Sequence, residues 1–283
     1  MPRQFRFRRG FFFDQFPPLP VAFYDLSKSE RADRVLAIRS EIKGALLSQN
    51  LQKVHSCYAD DDTYIRKSAY LTTGRLYSEE IALRPAILVM LFKLMSDPDF
   101  KVRQTVINAA GEIGKRDFEE VRFCFEEGLK DPHHSPRNAV IGSIKKMGEV
   151  NPEPVLSWAQ EYLHHDDKEI RREICHGIEL RGRKHPEDIL PLLQELQHDR
   201  TARVRDTLVH VIGQIAYKKG CLVKVLSHLK NWENRPLVDA ALDEIIDVHH
   251  RYRNFAALTQ AEAIEIIHAH YPGRKEKSGG MVY

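Results

Sequence analysis

A 34-residue repeat restricts what this chain can fold into more than any single motif does. Five segments align at that period without a gap, and each opens with an apolar residue followed by Arg or Asp. They are Val102–Val106, Pro136–Val140, Ile170–Ile174, Val204–Leu208 and Val238–Leu242, and a sixth copy, Ile65–Ala69, lies 37 residues before the first. Self-similarity of this kind is typical of stacked repeat architectures, in which each unit buries its apolar face against its neighbours.

Within each unit, apolar residues recur at helical spacing on both sides of a short polar turn, which predicts a pair of antiparallel helices. The predicted pairs cover residues 51–78, 85–115, 117–149, 152–183, 186–217 and 220–252. The predicted buried positions of three second helices are Val102, Val106, Ala109, Ala110 and Ile113, then Val140, Ile144 and Met147, then Ile170, Ile174 and Ile178.

No segment has the pattern of a strand. The predicted fold class is therefore all-α, a right-handed α-solenoid of stacked antiparallel helix pairs. Glycine recurs eight residues after the first Arg of a unit, at Gly74, Gly111 and Gly213. Since glycine has no side chain, these positions predict close approach between helices of neighbouring units.

The sequence divides into four parts. They are an irregular basic and aromatic arm over 1–28, a solenoid with a leading helix over 29–252, a capping helix over 253–272 and a disordered tail over 273–283. Ser29 is predicted to cap the leading helix, and Asn151 the helix that starts at Pro152. Thr259 with Glu262 three residues later predicts a capping box at the last helix.

The basic residues are concentrated at the two ends of the chain. The net charge is +3, yet residues 1–28 hold five basic and two acidic residues and residues 273–283 hold three and one, so that the 244 residues between them sum to −2. A DNA-binding body usually carries its basic excess on the folded domain. The charge distribution therefore favours a protein partner and keeps nucleic acid as an alternative.

Cysteine usage and hydropathy bear on the compartment. The four cysteines occur singly, without a C-x-x-C pair, which predicts buried reduced thiols and a cytoplasmic protein. The longest apolar run, 86–92, is far shorter than the ~20 residues that a membrane-spanning helix needs. We therefore expect a soluble protein without a membrane partner.

A helix pair of this length, with Asp in the turn and Arg six residues later, resembles the HEAT repeats and the HEAT-like repeats of phycobilin-lyase type. The matching pairs are Asp60/Arg66, Asp97/Arg103, Asp131/Arg137 and Asp199/Arg205, with Asp166 five residues before Arg171. The resemblance covers residues 50–252 and implies an armadillo-type superhelix. It also implies that the Asp and Arg columns form a structural ladder between adjacent turns. The alternative, a phosphate-binding stripe, requires arginines that carboxylates leave available.

The exposed side of the second helices, which lines the concave face in HEAT-type solenoids, is the candidate binding surface. Its polar positions are Lys67, Lys101, Gln104, Asn108, Lys115, Lys146, Arg172, His176, Arg183, Arg203, His210 and Gln214. Such a moderately basic face suits an acidic protein segment or a nucleic-acid backbone. The alternative is a charged face that water alone covers.

Several residue types could carry other chemistry. His176 and His210 share a column in adjacent units, as do His164 and His198, but a zinc site needs further ligands at matching places, so surface histidines without metal are predicted. Trp158 and Trp232 are predicted to pack in the core. The arm alternates Arg with Phe, which suits single-stranded nucleic acid or burial of Phe against the first helices.

Three functions follow from these patterns. The favoured one is a non-catalytic scaffold that binds a protein partner on its concave face, because no nucleophile–base pair, metal set or phosphate loop is evident, nor any cofactor or small-molecule site. A cofactor or pigment chaperone, as in the HEAT-like lyases, has no residue that specifically supports it.

The third is a DNA-binding alkylpurine glycosylase-like protein. Residues 189–193, 199–205 and 223–232 resemble the C-terminal repeats of the HEAT-like DNA alkylation repair family. In one branch of that family, a Trp and an Asp one helical turn apart serve catalysis. Here Glu233 follows Trp232 and Asp239 lies seven residues on, so the catalytic motif is not matched and no catalytic residue is assigned.

Overall fold

A computed structural model describes residues 22–274 of the chain. Fifteen α-helices and two short 3₁₀ helices, Phe23–Asp25 and Ile81–Leu83, make up its regular structure, and no strand occurs within these residues. The α-helices are α1 (Lys28–Ser48), α2 (Gln52–Ala59), α3 (Thr63–Glu79), α4 (Arg84–Leu94), α5 (Phe100–Gly114), α6 (Phe118–Leu129), α7 (His134–Val150), α8 (Pro152–Glu161), α9 (Lys168–Gly177), α10 (Glu179–Gly182), α11 (Pro186–Gln194), α12 (Ala202–Ala216), α13 (Leu222–Leu229), α14 (Arg235–Arg251) and α15 (Gln260–His270).

Six helix pairs follow the leading helix α1, as the repeat predicts. The second helices α3, α5, α7, α9, α12 and α14 each pack against the next in sequence, which forms one layer. Most first helices form the other layer, since α4 packs on α6, α6 on α8 and α11 on α13. Because each unit contacts chiefly its neighbours, this is the HEAT-like α-solenoid that the sequence predicts.

The core is a single seam between the two layers. It runs as one continuous cluster of buried side chains from Ile38 in α1 to Ile267 in α15. All eleven positions predicted to be buried in the three second helices are at most 6% exposed. Trp158 and Trp232 are also buried, as are all four cysteines, so the predictions for these residues are confirmed.

The predicted close approaches occur at glycine. A Cβ atom on Gly111 would lie 2.5 Å from Ser143 Oγ and 2.8 Å from Ser143 Cβ in the neighbouring α7. A Cβ on Gly213 would lie 2.6 Å from Glu244 Cγ in α14, and one on Gly74 would lie 2.5 Å from Glu112 Cβ in α5. Only a residue without a side chain lets these helices approach so closely.

Of the two helix caps predicted at the ends of the fold, one is confirmed and the other lies two residues earlier than predicted. Thr259 and Glu262 form the predicted capping box of α15. The leading helix is capped by Ser27 rather than Ser29, because Glu30 stands three residues after Ser27 and completes a capping box with it.

Two further predictions within the solenoid are wrong. The Asn151 side chain does not cap α8; its amide donates to Gly114 O at 3.0 Å and thereby ties one unit to the preceding one. The fourth pair, predicted over 152–183, does not have one continuous second helix, because that helix breaks at Ile178 between α9 and α10, next to the poor helix former Gly177.

The ends of the chain lie partly outside the described residues. This holds for the predicted arm as far as residue 21 and for the tail from residue 275. The described part of the arm is tied to the first pair, since the backbone N–H of Phe23 donates to Asp62 Oδ2 at 2.7 Å. Between residues 22 and 274, no helix combines the length and the apolar character needed to cross a membrane.

Candidate functional site: the second-helix face

The predicted ladder arginines lie in a row of turns, and two of them, Arg103 and Arg171, bind the aspartate of the next turn. Arg103 donates to both carboxylate oxygens of Asp131, at 2.6 and 2.9 Å, and to the backbone oxygen of Asp97 at 2.7 Å. Arg171 contacts Asp199 in the same bidentate way, at 2.5 and 3.1 Å. The carboxylate partner of these two arginines therefore comes from the next turn, as in the ladder between adjacent turns that the resemblance implies, and the arginine's own turn supplies a backbone oxygen.

The other three arginines lack this bridge. Arg66, Arg137 and Arg205 each donate to a backbone oxygen of their own turn at 2.5 Å. Asp97 is the next-turn carboxylate that could accept a hydrogen bond from Arg66, but its carboxylate contacts His55 Nε2 at 3.0 Å instead. The bridged contacts thus alternate along the ladder.

The residues that order the turns differ along the ladder. Asp131 and Asp199 each accept a backbone N–H two residues later, at 2.8 Å, and Asp97 accepts the corresponding N–H at 2.9 Å. In the fourth unit His165 takes the place of the aspartate, since its Nδ1 accepts the backbone N–H of Asp167 at 3.0 Å. Asp166 is therefore not the structural equivalent of the other aspartates, and Arg137 has no turn carboxylate to bridge to.

The bridges also set the ionisation of the aspartates. Burial acts to raise the pKa of Asp131, but the hydrogen bonds from Arg103 and from the His133 backbone outweigh it and lower the pKa. The pKa of Asp199 is lowered in the same way, with Arg171 as the main opposing partner. Arginines engaged in this manner are poorly available to a ligand.

We call the exposed side of the second helices the second-helix face, and its amino-terminal part is an open groove between α3 and α5. Lys67, Tyr70, Gln104 and Asn108 line one section of about 240 Å³. Arg75 lines a second section of about 480 Å³ between the same helices, together with the carboxylates of Glu79 and Glu112. The groove is thus polar, with one aromatic ring on its wall.

Two exposed cations of α3 line the groove without a carboxylate partner. Lys67 and Arg75 form no ion pair with any residue between 22 and 274. The amide of Asn108 donates to the backbone oxygen of Gln104 at 2.9 Å, which leaves its side-chain oxygen as an acceptor. The groove therefore offers positive charge and hydrogen-bonding groups to a ligand.

The flanking lysines of the prediction are paired. Lys101 Nζ lies 2.8 Å from Asp61 Oδ1. Lys115 and Lys146 approach the same carboxylate, that of Glu112, at 2.5 and 3.9 Å. They border the groove without adding free charge to it.

The carboxyl-terminal part of the face is a mesh of ion pairs. Arg172 Nε lies 2.9 Å from Glu169 Oε2, and Arg203 Nη1 lies 3.1 Å from the other oxygen of Glu169. Gln214 is only 4% exposed and accepts a hydrogen bond from Arg183 at 3.0 Å. Gln214 was predicted on the exposed face, and this is wrong because the side chain turns into the contact between units.

Glu179 is the centre of this mesh. Its side chain is 1% exposed and contacts Lys145 at 3.1 Å, His176 at 3.2 Å and the guanidinium of Arg183. Burial acts to raise its pKa, but the His176 hydrogen bond and the charges of Lys145 and Arg183 outweigh burial and lower the pKa to about 2. Glu179 is therefore a buried carboxylate that stays ionised.

The pKa of Glu173, in the preceding helix α9, is shifted in the opposite direction. Glu173 is 2% exposed, its Oε2 has no hydrogen-bond partner among the described residues, and its nearest cations, Arg137 and Arg172, lie at 3.4 and 3.5 Å. Burial outweighs them and raises its pKa. Two buried glutamates on the same face thus differ because only one is closely surrounded by cations.

The two histidines of the shared column lie side by side. The ring centroids of His176 and His210 are 6.0 Å apart. One donor atom each from His176, Glu179 and His210 fall within 4.8 Å of one another. The column of histidines was recognised in the sequence, but Glu179 was missed; its position three residues after His176 on a helix is the signal that could have found it.

The tryptophans do not reach any surface. Trp232 is fully buried, and its Nε1 donates to His228 Nδ1 at 2.9 Å. The side chain of Glu233 beside it is 84% exposed. A buried indole of this kind is a packing residue and is closed to a nucleobase.

A family model matches part of the chain. It is that of Cnd1, the non-SMC mitotic condensation complex subunit 1, and it covers residues 38–164. No curated protein sequence matches the chain.

Several solved structures are similar in their helical repeats. The TOG domain of Crescerin, from a TOG domain array that regulates microtubules in the primary cilium, has 19% identity and a TM-score of 0.47 over 69% of this chain and 88% of its own. A computationally designed armadillo repeat protein for modular peptide recognition has 20% identity and a TM-score of 0.29 over 66% and 96%. The CpcE–CpcF complex of phycocyanin lyase from Nostoc has 16% identity and a TM-score of 0.33 over 95% and 99%.

These are likenesses of repeat architecture, and they bring no residue of a neighbour's site onto this chain. The HEAT-like solenoid rests on the stacked helix pairs of the chain itself. Folds of this kind commonly mediate protein interactions.

Proposed function

We propose that the protein is a non-catalytic scaffold that holds an acidic segment of a protein partner in the groove between α3 and α5. The observation that carries this proposal is the pair of exposed cations on α3, Lys67 and Arg75, neither of which forms an ion pair with a residue between 22 and 274. Elsewhere on the face, carboxylates of the chain itself occupy the cations. An acidic segment would supply the missing counter-charges.

The shape of the groove supports an extended segment of chain. It lies between two neighbouring helices, and Tyr70 stands beside Lys67 on its wall. Asn108 and Gln104 can hydrogen-bond to the backbone of a bound chain, whereas the charges select acidic side chains. Lys146, whose Nζ lies 5.6 Å from the centre of the Tyr70 ring, borders the same place.

The test uses the full chain and a fluorescent acidic peptide, a short oligoglutamate, read by fluorescence polarisation at low salt. The double variant Lys67→Glu, Arg75→Glu should weaken binding by at least about tenfold, because two attractive contacts become repulsive. The matched control, Lys130→Glu with Lys219→Glu, makes the same change of charge at two exposed lysines outside the second helices. Equal loss in both variants would show only a response to net charge and would refute the groove.

A parallel measurement separates protein from nucleic acid. Single-stranded and duplex DNA are titrated into the same wild-type protein, and salt dependence is recorded because phosphate contacts release counterions. Tighter, strongly salt-dependent binding of DNA that the groove variant abolishes would favour a nucleic-acid partner instead. Affinity capture from a native lysate, with and without nuclease, then identifies proteins whose retention requires Lys67 and Arg75.

A further inference from the structure

A cluster of metal-ligand side chains lies between the fourth and fifth helix pairs, away from the groove. His176 comes from the end of α9, Glu179 from the start of α10 and His210 from α12 of the next unit. One donor atom each of these three residues lies within 4.8 Å of the others. No other group of three histidine, cysteine or acidic donors is this compact between residues 22 and 274.

The spacing is close to that of zinc ligands. Donor atoms about 2.0–2.2 Å from a tetrahedral Zn²⁺ lie roughly 3.3 Å from one another. The Nε2 atom of His176 and the Oε2 atom of Glu179 are already 3.2 Å apart. His210 is 42% exposed at its side chain, so a rotation of its ring can close the remaining distance without repacking the core.

Glu179 is prepared for this role by its surroundings. The carboxylate is buried, and Arg183 holds its Oε1 atom. Lys145 contacts the Oε2 atom at 3.1 Å and is the group that a metal ion would displace. In this arrangement Oε2 would bind the metal ion while Arg183 holds Oε1. Hydrogen bonds of this kind to the second oxygen orient carboxylate ligands in metalloproteins.

A fourth donor is close at hand. The Oε1 atom of Glu244, in α14 of the sixth unit, lies 3.6 Å from Nδ1 of His210. Glu244 is one repeat length after His210, as His210 is after His176, so three successive units place a potential ligand in one column. Because this oxygen also accepts a hydrogen bond from Arg251 at 2.6 Å, Glu244 completes a tetrahedron only if it releases Arg251, and otherwise a water molecule takes the fourth position.

We propose that His176, Glu179 and His210 form a binding site for Zn²⁺ that clips the fourth helix pair to the fifth. The helix break at Ile178 fits this site, because it separates the helix that carries His176 from the short helix that carries Glu179. The four cysteines are buried and lie outside the cluster, so thiols do not compete for the ion there.

The test is a titration of the full chain, without a histidine tag, with Zn²⁺ by calorimetry and with Co²⁺ by visible absorption. The wild type should bind one ion, and Co²⁺ should give the intense absorption of a four-coordinate site. The double variant His176→Ala, His210→Ala should bind Zn²⁺ at least about 100-fold more weakly, because two of three ligands are lost.

The chain offers a matched control in His164 and His198. They also occupy one column in adjacent units and are exposed, and His164 contacts Glu195 at 2.9 Å. The double variant His164→Ala, His198→Ala should bind Zn²⁺ as the wild type does. Equal loss in both variants, or no uptake by the wild type at about 100 µM Zn²⁺, would overturn the proposal.

A second measurement needs no variant. Imidazole ¹⁵N resonances of the wild type should shift on addition of Zn²⁺ at two histidines, His176 and His210, and at no others. Shifts spread over many histidines would indicate non-specific metal binding and would contradict the site.

Discussion

The two ends of the second-helix face are built from the same repeat but differ in how many of their cations are paired with carboxylates. At the α3–α5 end, Lys67 and Arg75 stand exposed beside a polar groove without a carboxylate partner among residues 22–274. From α9 onward, carboxylates from within the chain bind almost every cation of the face, and Glu179 alone contacts three. A column of like residues in a repeat therefore does not imply one function along its length.

The physical reason lies in the residues between the cations. Glu169, Glu173 and Glu179 are spaced through α9 and α10 and reach the arginines of their own and the next unit. Along α3 no acidic residue occurs before Glu79. The first end therefore has two exposed cations without an ion pair among the described residues, whereas the second uses its charges to hold units together.

The largest expected effect is on a bridge of the ion-paired end. Arg171→Ala should lower the free energy of unfolding by about 4 kcal/mol, because it leaves the carboxylate of Asp199, whose side chain is 5% exposed, without its buried partner. Chemical denaturation followed by circular dichroism measures this. Arg205→Ala is the control, since Arg205 donates only to a backbone oxygen in the described structure, and its loss should cost clearly less. Equal losses would mean that the bridge adds nothing.

The next effect concerns the close approach of α5 and α7. Gly111→Ala should destabilise the protein by about 2 kcal/mol, because the new methyl group would overlap the Ser143 side chain, and that clash exceeds the helix propensity gained. Thermal denaturation checks the direction.

Gly142 provides the comparison on α7 itself. A Cβ there would meet no atom within 4 Å, so Gly142→Ala should stabilise the protein by up to about 1 kcal/mol through helix propensity alone. If both substitutions stabilise the protein, the helices do not approach as closely as described.

The bridges should also give the protein a distinct acid response. The pKa values of Asp131 and Asp199 are lowered in the folded state, so their stabilising contribution is present above the unfolded value of about 4 and is lost as the pH falls below it. As the pH is lowered through this range, the free energy of unfolding should decrease more steeply in the wild type than in Asp199→Asn. Parallel curves would show that Asp199 does not contribute through its charge.

The smallest effect is expected in the groove. Lys67→Ala and Arg75→Ala should each change the free energy of unfolding by less than about 0.5 kcal/mol, because both side chains are exposed and form no ion pair with the described residues. Arg172→Ala should cost more, about 1 kcal/mol, through its bond to Glu169. If Lys67→Ala or Arg75→Ala destabilised the protein as much as Arg172→Ala does, that residue would be structural, and the case for a partner in the groove would be weaker.

Much of the fold could be read from the sequence because it depends on local and periodic features. The 34-residue period, the apolar spacing and the Thr259 capping box involve residues close in the chain, and the positions of Val102, Ile144 and Ile174 in the core follow from helical geometry alone. The close approach at Gly111 was also predictable, because only glycine recurs where the backbones must meet.

The sequence alone determined that the chain stacks helix pairs and which side of each helix faces the seam. Only the tertiary structure decided that Arg103 pairs with Asp131 instead of Asp97, that Gln214 is buried and that Glu179 joins two histidines. These features depend on the offset between neighbouring units, which places each side chain against residues about one repeat away. A period specifies that units stack, but the reach and direction of individual side chains across the contact decide which charges are paired.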